Sequence, residues 1–189
     1  MPDPAGIFAA VVGPSGAGKD SLINAAARHF RDDSRFMFVR RVVTREADKA
    51  VEDHDTVSVA GFDRLREGGA FAVSWAAHGI LYGIPKDTGP FVENGGIAVA
   101  NCSRAAIDDA RSAFGRVAII HIWAEPSVLA ERLIRRGRED TGKISARLDR
   151  AAADFQTNAL TFTVKNDGAL EEASTRFIGI LEDLAGELR

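Results

Sequence analysis

Gly13-Pro14-Ser15-Gly16-Ala17-Gly18-Lys19 is the stretch of this sequence with the clearest chemistry in it. Glycines at this spacing let successive backbone amides curl around a phosphate, while Lys19 reaches the β- and γ-phosphates of a nucleoside triphosphate. The next residue breaks the usual pattern, because Asp20 stands where a serine or threonine hydroxyl ordinarily meets magnesium. A carboxylate is a good magnesium ligand, directly or through water, and without the ion it repels the nearby phosphates. Asp20 is therefore the candidate metal residue, and it implies a strong dependence on the divalent cation. The plainer alternative is a first-turn acid favoured by the helix dipole. Ser21 is rotated about 100° further round the helix and is poorly placed to replace the missing hydroxyl. It reads as a first-turn polar residue at the edge of the nucleotide-binding set.

Such a loop works only between a buried strand and a helix, and the sequence predicts both. Ile7 to Val12 is a continuous apolar run, and Leu22, Ile23, Ala26 and Phe30 recur at helical spacing after the loop. Further apolar runs suit buried strands at 36–43, 96–102, 117–123 and 159–164, with helical patterns at 103–113, 126–136, 144–155 and 169–187. This alternation predicts an α/β fold: a five-stranded parallel sheet with helices on both faces and right-handed crossovers. Residues 44–95 break the rhythm with acids, glycines and short β-like pieces, and read as a small lobe inserted into a single core domain of 1–43 and 96–189. The charged, glycine-bearing stretch 135–143 reads as a lid.

Composition narrows the partners. The 189 residues, 46% of them hydrophobic, suffice for one full core. Charges of both signs are interspersed with a net of −3, so no nucleic-acid surface is expected and any anion site must be local. The single cysteine, Cys102, excludes an internal disulfide, points to no zinc site and fits a reducing, cytoplasmic setting. The apolar N-terminal run is far too short for a membrane span and lacks a basic flank, so neither a membrane partner nor an export signal is expected.

Taken together, GPSGAGKDSL, RRVVTRE, EDH, SWAAHGILYG, NCSRA, RLIRRGRE with ISARL, and NDG resemble the guanylate-kinase-like branch of the P-loop kinases, over nearly the whole chain. The glycine loop alone indicates only a nucleotide. The GKDS ending and the VTR and SW…HG…YG segments resemble the sugar-phosphate enzymes of that branch more than its GMP kinases. The resemblance implies a P-loop kinase fold with an inserted acceptor-binding lobe, an arginine-rich lid, ATP as donor and Mg2+. It further implies transfer to the 1-phosphate of ribose 1,5-bisphosphate, giving 5-phosphoribosyl 1-diphosphate in phosphonate metabolism, and it admits a homodimer. A GMP kinase and a catalytically silent binding module are the alternatives. The branch carries an acidic residue at the end of a strand where this chain has Asn101, a departure that gives Asp20 more weight as the metal residue.

An acceptor that is itself a phosphate needs no strong base, but two polyanions must be held together, which calls for cations around the transferred group. Arg40, Arg41 and Arg45 open the inserted lobe, and Arg132, Arg135, Arg136, Arg138 and Arg147 surround the lid. Arg132 and Arg136 share a helix face before Gly137 and can converge on the donor phosphates, while Arg147 falls on the polar side of the next helical pattern. Lys19, Arg136 and Arg147 are the catalytic candidates. For the acceptor, Arg41 and Arg45 are joined by Tyr82, the only tyrosine, which either binds a phosphate through its hydroxyl or is a core aromatic with a wet tip. His54 and His78 either donate to phosphate or are ordinary polar residues. Glu52 and Asp53 either grip ribose hydroxyls or form a solvated acidic loop. Trp75 reads as core. Ser103 and Arg104 follow a strand at the carboxyl edge of the sheet, where ligands collect. Asn166 and Asp167 either flank the adenine or simply make a turn.

Overall fold

Strand β1 (Ile7–Val12) has all six residues buried, and the reason is visible on its two faces. Ile7, Ala9 and Val11 pack with Leu22, Ala26, Phe177 and Leu181, whereas Phe8, Ala10 and Val12 pack with Ile107, Ala110 and Phe114. A strand covered on both sides has no polar face, hence its unbroken apolar sequence. Phe8 and Phe114 stack with ring centroids 4.2 Å apart, and truncating such a buried phenylalanine to alanine costs about 3–5 kcal/mol. The computed structural model describes residues 5–45, 53–135 and 160–188.

With β2 (Phe36–Phe38), β7 (Ile97–Asn101), β8 (Val117–Trp123) and β9 (Leu160–Lys165), β1 forms the expected five-stranded parallel sheet in the order β2-β7-β1-β8-β9. Helices α1 (Lys19–His29) and α6 (Leu170–Gly186) cover one face, and α3 (Thr88–Glu93) and α4 (Ile107–Phe114) cover the other. Helix α5 (Pro126–Arg135) begins on a proline, whose fixed φ suits the first helical turn. The helical pattern at 144–155 and most of the expected lid lie outside the described residues.

The apolar run 36–43 is not one strand. It splits into β2 and β3 (Arg41–Val43), which belong to different sheets. The second sheet has four strands in the order β4-β3-β6-β5, formed by β3 with β4 (His54–Thr56), β5 (Phe71–Ala77) and β6 (Ile80–Pro85). The switch is made at Val39 and Arg40. Val39 still donates to the Val99 carbonyl of the large sheet, at 2.9 Å. Arg40 then pairs with Asp55 of β4 at 2.8 Å and with Asp53 at 2.9 Å, drawing the chain onto its new partner. The β5–β6 hairpin turns through His78 and Gly79, both with positive φ (53° and 75°), the arrangement that two-residue hairpins favour. Helix α2 (Val59–Glu67), capped by Ser58 accepting from the Gly61 amide, packs Phe62 onto Phe71 of β5 at 4.7 Å.

Candidate active site

The turn from β1 into α1 leaves no room for a side chain at Gly13 or Gly18. Gly13 has φ 151°, and a Cβ there would overlap the Ile122 carbonyl of β8. Gly18 is the N-cap of α1 in the left-handed conformation, φ 89°, and a Cβ there would collide with the Asn166 side chain. No side chain caps the helix. Its amino end therefore faces the loop, as an anion site requires. Lys19 Nζ donates to the carbonyls of Gly13 (2.8 Å) and Pro14 (2.9 Å), holding the ammonium over the loop. The Asn166 amide donates to the Ala17 carbonyl at 2.7 Å and ties the loop to the turn after β9. Pro14 and Ala17 thus act through their carbonyls.

A cleft of about 510 Å³ runs from this loop to the small sheet. One wall carries Gly13, Ser15, Gly16, Gly18, Lys19, Asp20 and Ser21; the facing wall carries Arg41, Arg45, Trp75, His78 and Tyr82, with Ser103 at the end of the large sheet. Tyr82 stacks on Trp75 with centroids 5.3 Å apart and planes 9° from parallel, and the Arg41 guanidinium lies 5.6 Å from the Tyr82 ring centre. Trp75 packs against the core, as its sequence context predicts, and also lines the cleft: its β6 partner across the hairpin is Tyr82, and both residues face the cleft. Arg41 is buried, and its Nη2 sits 3.8 Å from Asp20 Oδ1, joining the two walls.

Asp20 Oδ1 also accepts a 2.7 Å hydrogen bond from Asn101 Nδ2, at the end of β7. Among the described residues no three His, Cys, Asp or Glu side chains gather as a metal cage. Magnesium does not need one, because it is commonly held by one or two carboxylates, waters and substrate phosphates. A carboxylate beside the phosphate loop, with an amide steadying one oxygen, fits that donor set.

Not every candidate converges on the cleft. His54 is buried with Nε2 2.9 Å from the Arg45 carbonyl, so it braces the backbone that carries Arg45 and does not line the cleft. Arg104 is half-buried in a single 3₁₀ turn capped by Ser103, and its Nη2 lies 3.4 Å from His121 Nε2 on β8. Burial, then Arg104, then Lys19 hold the His121 pKa below its usual value. His121 was not singled out from the sequence, although a lone polar residue near the carboxyl end of an apolar strand is a usable signal. Arg132 lies 3.5 Å from the Gly16 carbonyl and shares a second, smaller pocket with Asn166, Ser21 and Leu170. Asp167 accepts from the Glu125 amide at 2.7 Å, bracing the start of α5. Cys102 lies beneath the cleft, and burial pushes its thiol up to about 12, with Arg41 pulling weakly the other way. Glu52, Arg136 and Arg147 lie outside the described residues.

No protein-family model matches the chain. It is 44% identical over 183 residues to a Rhizobium etli protein named ribose 1,5-bisphosphate phosphokinase, covering 97% of this chain and 93% of that protein. It is also 44% identical over 176 residues to a protein of the same name from Agrobacterium fabrum, covering 93% and 96% of the two chains. Among solved structures it resembles guanylate kinase from Anaplasma phagocytophilum, with a TM-score of 0.67 at 18% identity over 97% of this chain and 88% of that one.

Proposed function

The chain belongs to the ribose 1,5-bisphosphate phosphokinase family, and we propose that it transfers the γ-phosphoryl group of ATP to the 1-phosphate of ribose 1,5-bisphosphate, giving 5-phosphoribosyl 1-diphosphate and ADP. The observation that carries this reading is the pair of cationic walls in one cleft, with Lys19 on the phosphate loop and Arg41 and Arg45 opposite it. Two anionic esters can meet there end to end. A phosphate monoester with a second pKa of about 6 is already largely ionised at neutral pH, so an acceptor oxygen attacks without a base to deprotonate it. A bond forms from that oxygen to the γ-phosphorus as the bond to the β-bridging oxygen breaks. What remains is alignment and charge neutralisation.

In this reading the loop amides and Lys19 hold the donor phosphates, and Arg132 steadies the nucleotide side. Bound Mg2+ supplies charge neutralisation on the donor phosphates, with Asp20 as the residue facing it. The four-stranded sheet is the acceptor lobe: Arg41 and Arg45 grip phosphate, Tyr82 and Trp75 form a flat wall for the sugar, and His78 and Ser103 border it, with Arg104 set behind Ser103 against His121. Arg136, Arg147, Glu52 and the lid are assigned from the sequence alone. A buried, unpaired Cys102 is in keeping with a reducing cytoplasm.

The test is a side-by-side assay of ATP and Mg2+ with ribose 1,5-bisphosphate, GMP and ribose 5-phosphate, with products identified by mass. Formation of 5-phosphoribosyl 1-diphosphate at a kcat/KM at least a hundredfold above GDP formation is expected. Preferential phosphorylation of GMP would overturn the acceptor assignment.

A further inference from the structure

P-loop phosphotransferases ordinarily hold their magnesium with a loop hydroxyl and a carboxylate at the end of a neighbouring strand. Here the carboxylate, Asp20, is on the loop, and the neighbouring strand ends in an amide, Asn101. The two positions are 81 residues apart in the chain yet joined by a 2.7 Å hydrogen bond. We propose that Asp20 and Asn101 form a transposed metal pair, in which Asn101 is a positioning residue that pins one oxygen of Asp20 so that the other faces the divalent ion.

The geometry supports each part. A carboxylate only accepts, so the Asn101 side chain must present Nδ2 to it, and the amide orientation is settled by its partner. Asn101 is itself fixed: it is the last residue of β7, in register with Val11 of β1, and the Cys102 amide after it donates to the Val11 carbonyl at 2.8 Å. Among the described residues, both contacts of Asp20, to Asn101 and to Arg41, fall on Oδ1. Oδ2 is left as the oxygen to offer. Asp20 lines the cleft beside the phosphate loop, and the strand side of the pair comes from β7, adjacent to β1 in the sheet. An aspartate at 101 would put a second carboxylate against the first, and two like charges at that distance do not both ionise. The amide at 101 is therefore matched to the acid at 20.

This inference rests on the reading of Asp20 as metal-facing, and the experiment separates the two. The probe is Mn2+, titrated by electron paramagnetic resonance into protein saturated with a non-hydrolysable ATP analogue. Melting curves and metal-free analogue binding are run alongside on Asp20→Ala, Asn101→Ala, Asn101→Asp, Asp20→Ser and the Asp20→Ser/Asn101→Asp double variant. Loss of an outer-shell partner typically weakens a metal site 10–100-fold. Asn101→Ala should therefore lose Mn2+ affinity on the order of tenfold, with analogue binding in EDTA within about twofold of the parent. The double variant restores the common hydroxyl and carboxylate arrangement and should bind Mn2+ more tightly than either of its single variants. If Asp20→Ala keeps the parent's Mn2+ affinity, the metal reading itself fails. If Asp20→Ala weakens it while Asn101→Ala does not, or if the double variant shows only the sum of the two single losses, the transposed pair is wrong and the metal reading stands.

Discussion

Arg104 and His121 face each other across the end of β1, Nη2 to Nε2 at 3.4 Å, one from the turn after β7 and the other from β8. Arginine can only donate, so Nε2 must be the accepting nitrogen of a neutral ring. The depressed His121 pKa, caused first by burial and then by Arg104 and Lys19, keeps that state near neutral pH.

A folded-state pKa below the unfolded value of 6.5 means that the unfolded chain takes up the proton first. The stability due to neutral His121 is therefore complete above about pH 6.5 and declines as pH falls from there toward the depressed folded value. Melting temperatures measured between pH 7.5 and pH 5 should fall less for His121→Gln than for the parent. The same variant keeps an acceptor for Arg104, so its acceptor KM should stay within about threefold, while His121→Leu should raise it on the order of tenfold with kcat less affected. Parallel melting curves for parent and His121→Gln would contradict the titration assigned to this ring.

The chain has two tryptophans, and only Trp75 lines the cleft; Trp123 lies under Lys165, whose Nζ is 5.1 Å from the ring centre. Adding ribose 1,5-bisphosphate should change the intrinsic fluorescence of the parent and of Trp123→Phe, and should leave Trp75→Phe silent. Tyr82→Phe preserves the stacked pair and loses only the hydroxyl. Tyr82→Ala removes both the stack, worth about 0.5–1.5 kcal/mol, and the ring beneath Arg41, and should raise acceptor KM more than Tyr82→Phe does.

Two glycines should respond to alanine in opposite directions. Gly18→Ala forces a side chain into φ 89° and into Asn166, a backbone cost of roughly 1–2 kcal/mol before any clash. Gly179, inside α6, has nothing within 4 Å of a new Cβ, so Gly179→Ala should stabilise by about 0.5–1 kcal/mol. Urea melts read both. Gly18→Ala should also weaken nucleotide-analogue binding, which Gly179→Ala should leave unchanged.

Cys102 is 6% exposed, with its thiol raised to about 12 by burial. The thiolate is the reactive form. At pH 8 the folded protein should react with a disulfide reagent at least a hundredfold more slowly than the urea-unfolded chain, which should titrate as one thiol.

The local signals in the sequence carried furthest where the physics is local. The apolar run of β1, the glycine spacing and the helical period after it predicted the loop, and each later buried strand stood out because strands covered on both faces are apolar throughout. The run at 36–43 misled because a change of sheet leaves no mark on hydrophobicity; it is made by Arg40 finding Asp53 and Asp55, a pairing beyond the reach of a periodicity window. Trp75 reads as core from its apolar neighbours and does pack against the core, but those neighbours do not reveal that it also lines the cleft. Asn101 could be seen only as a missing acid. Its meaning came from the fold, which sets it against Asp20.

Only Val39 and Arg40 separate the strand bound into the large sheet from the strand that carries Arg41. So short a link, spanning at most about 3.6 Å per residue, leaves the acceptor wall little scope to slide away, and the return link from β6 to α3 is just as short, Lys86 and Asp87 alone. The separation of the two cationic walls is therefore built into the packing beneath them, because Val73 and Ile84 of the small sheet are buried in the same cluster as Phe8 and Ile119 of the large one.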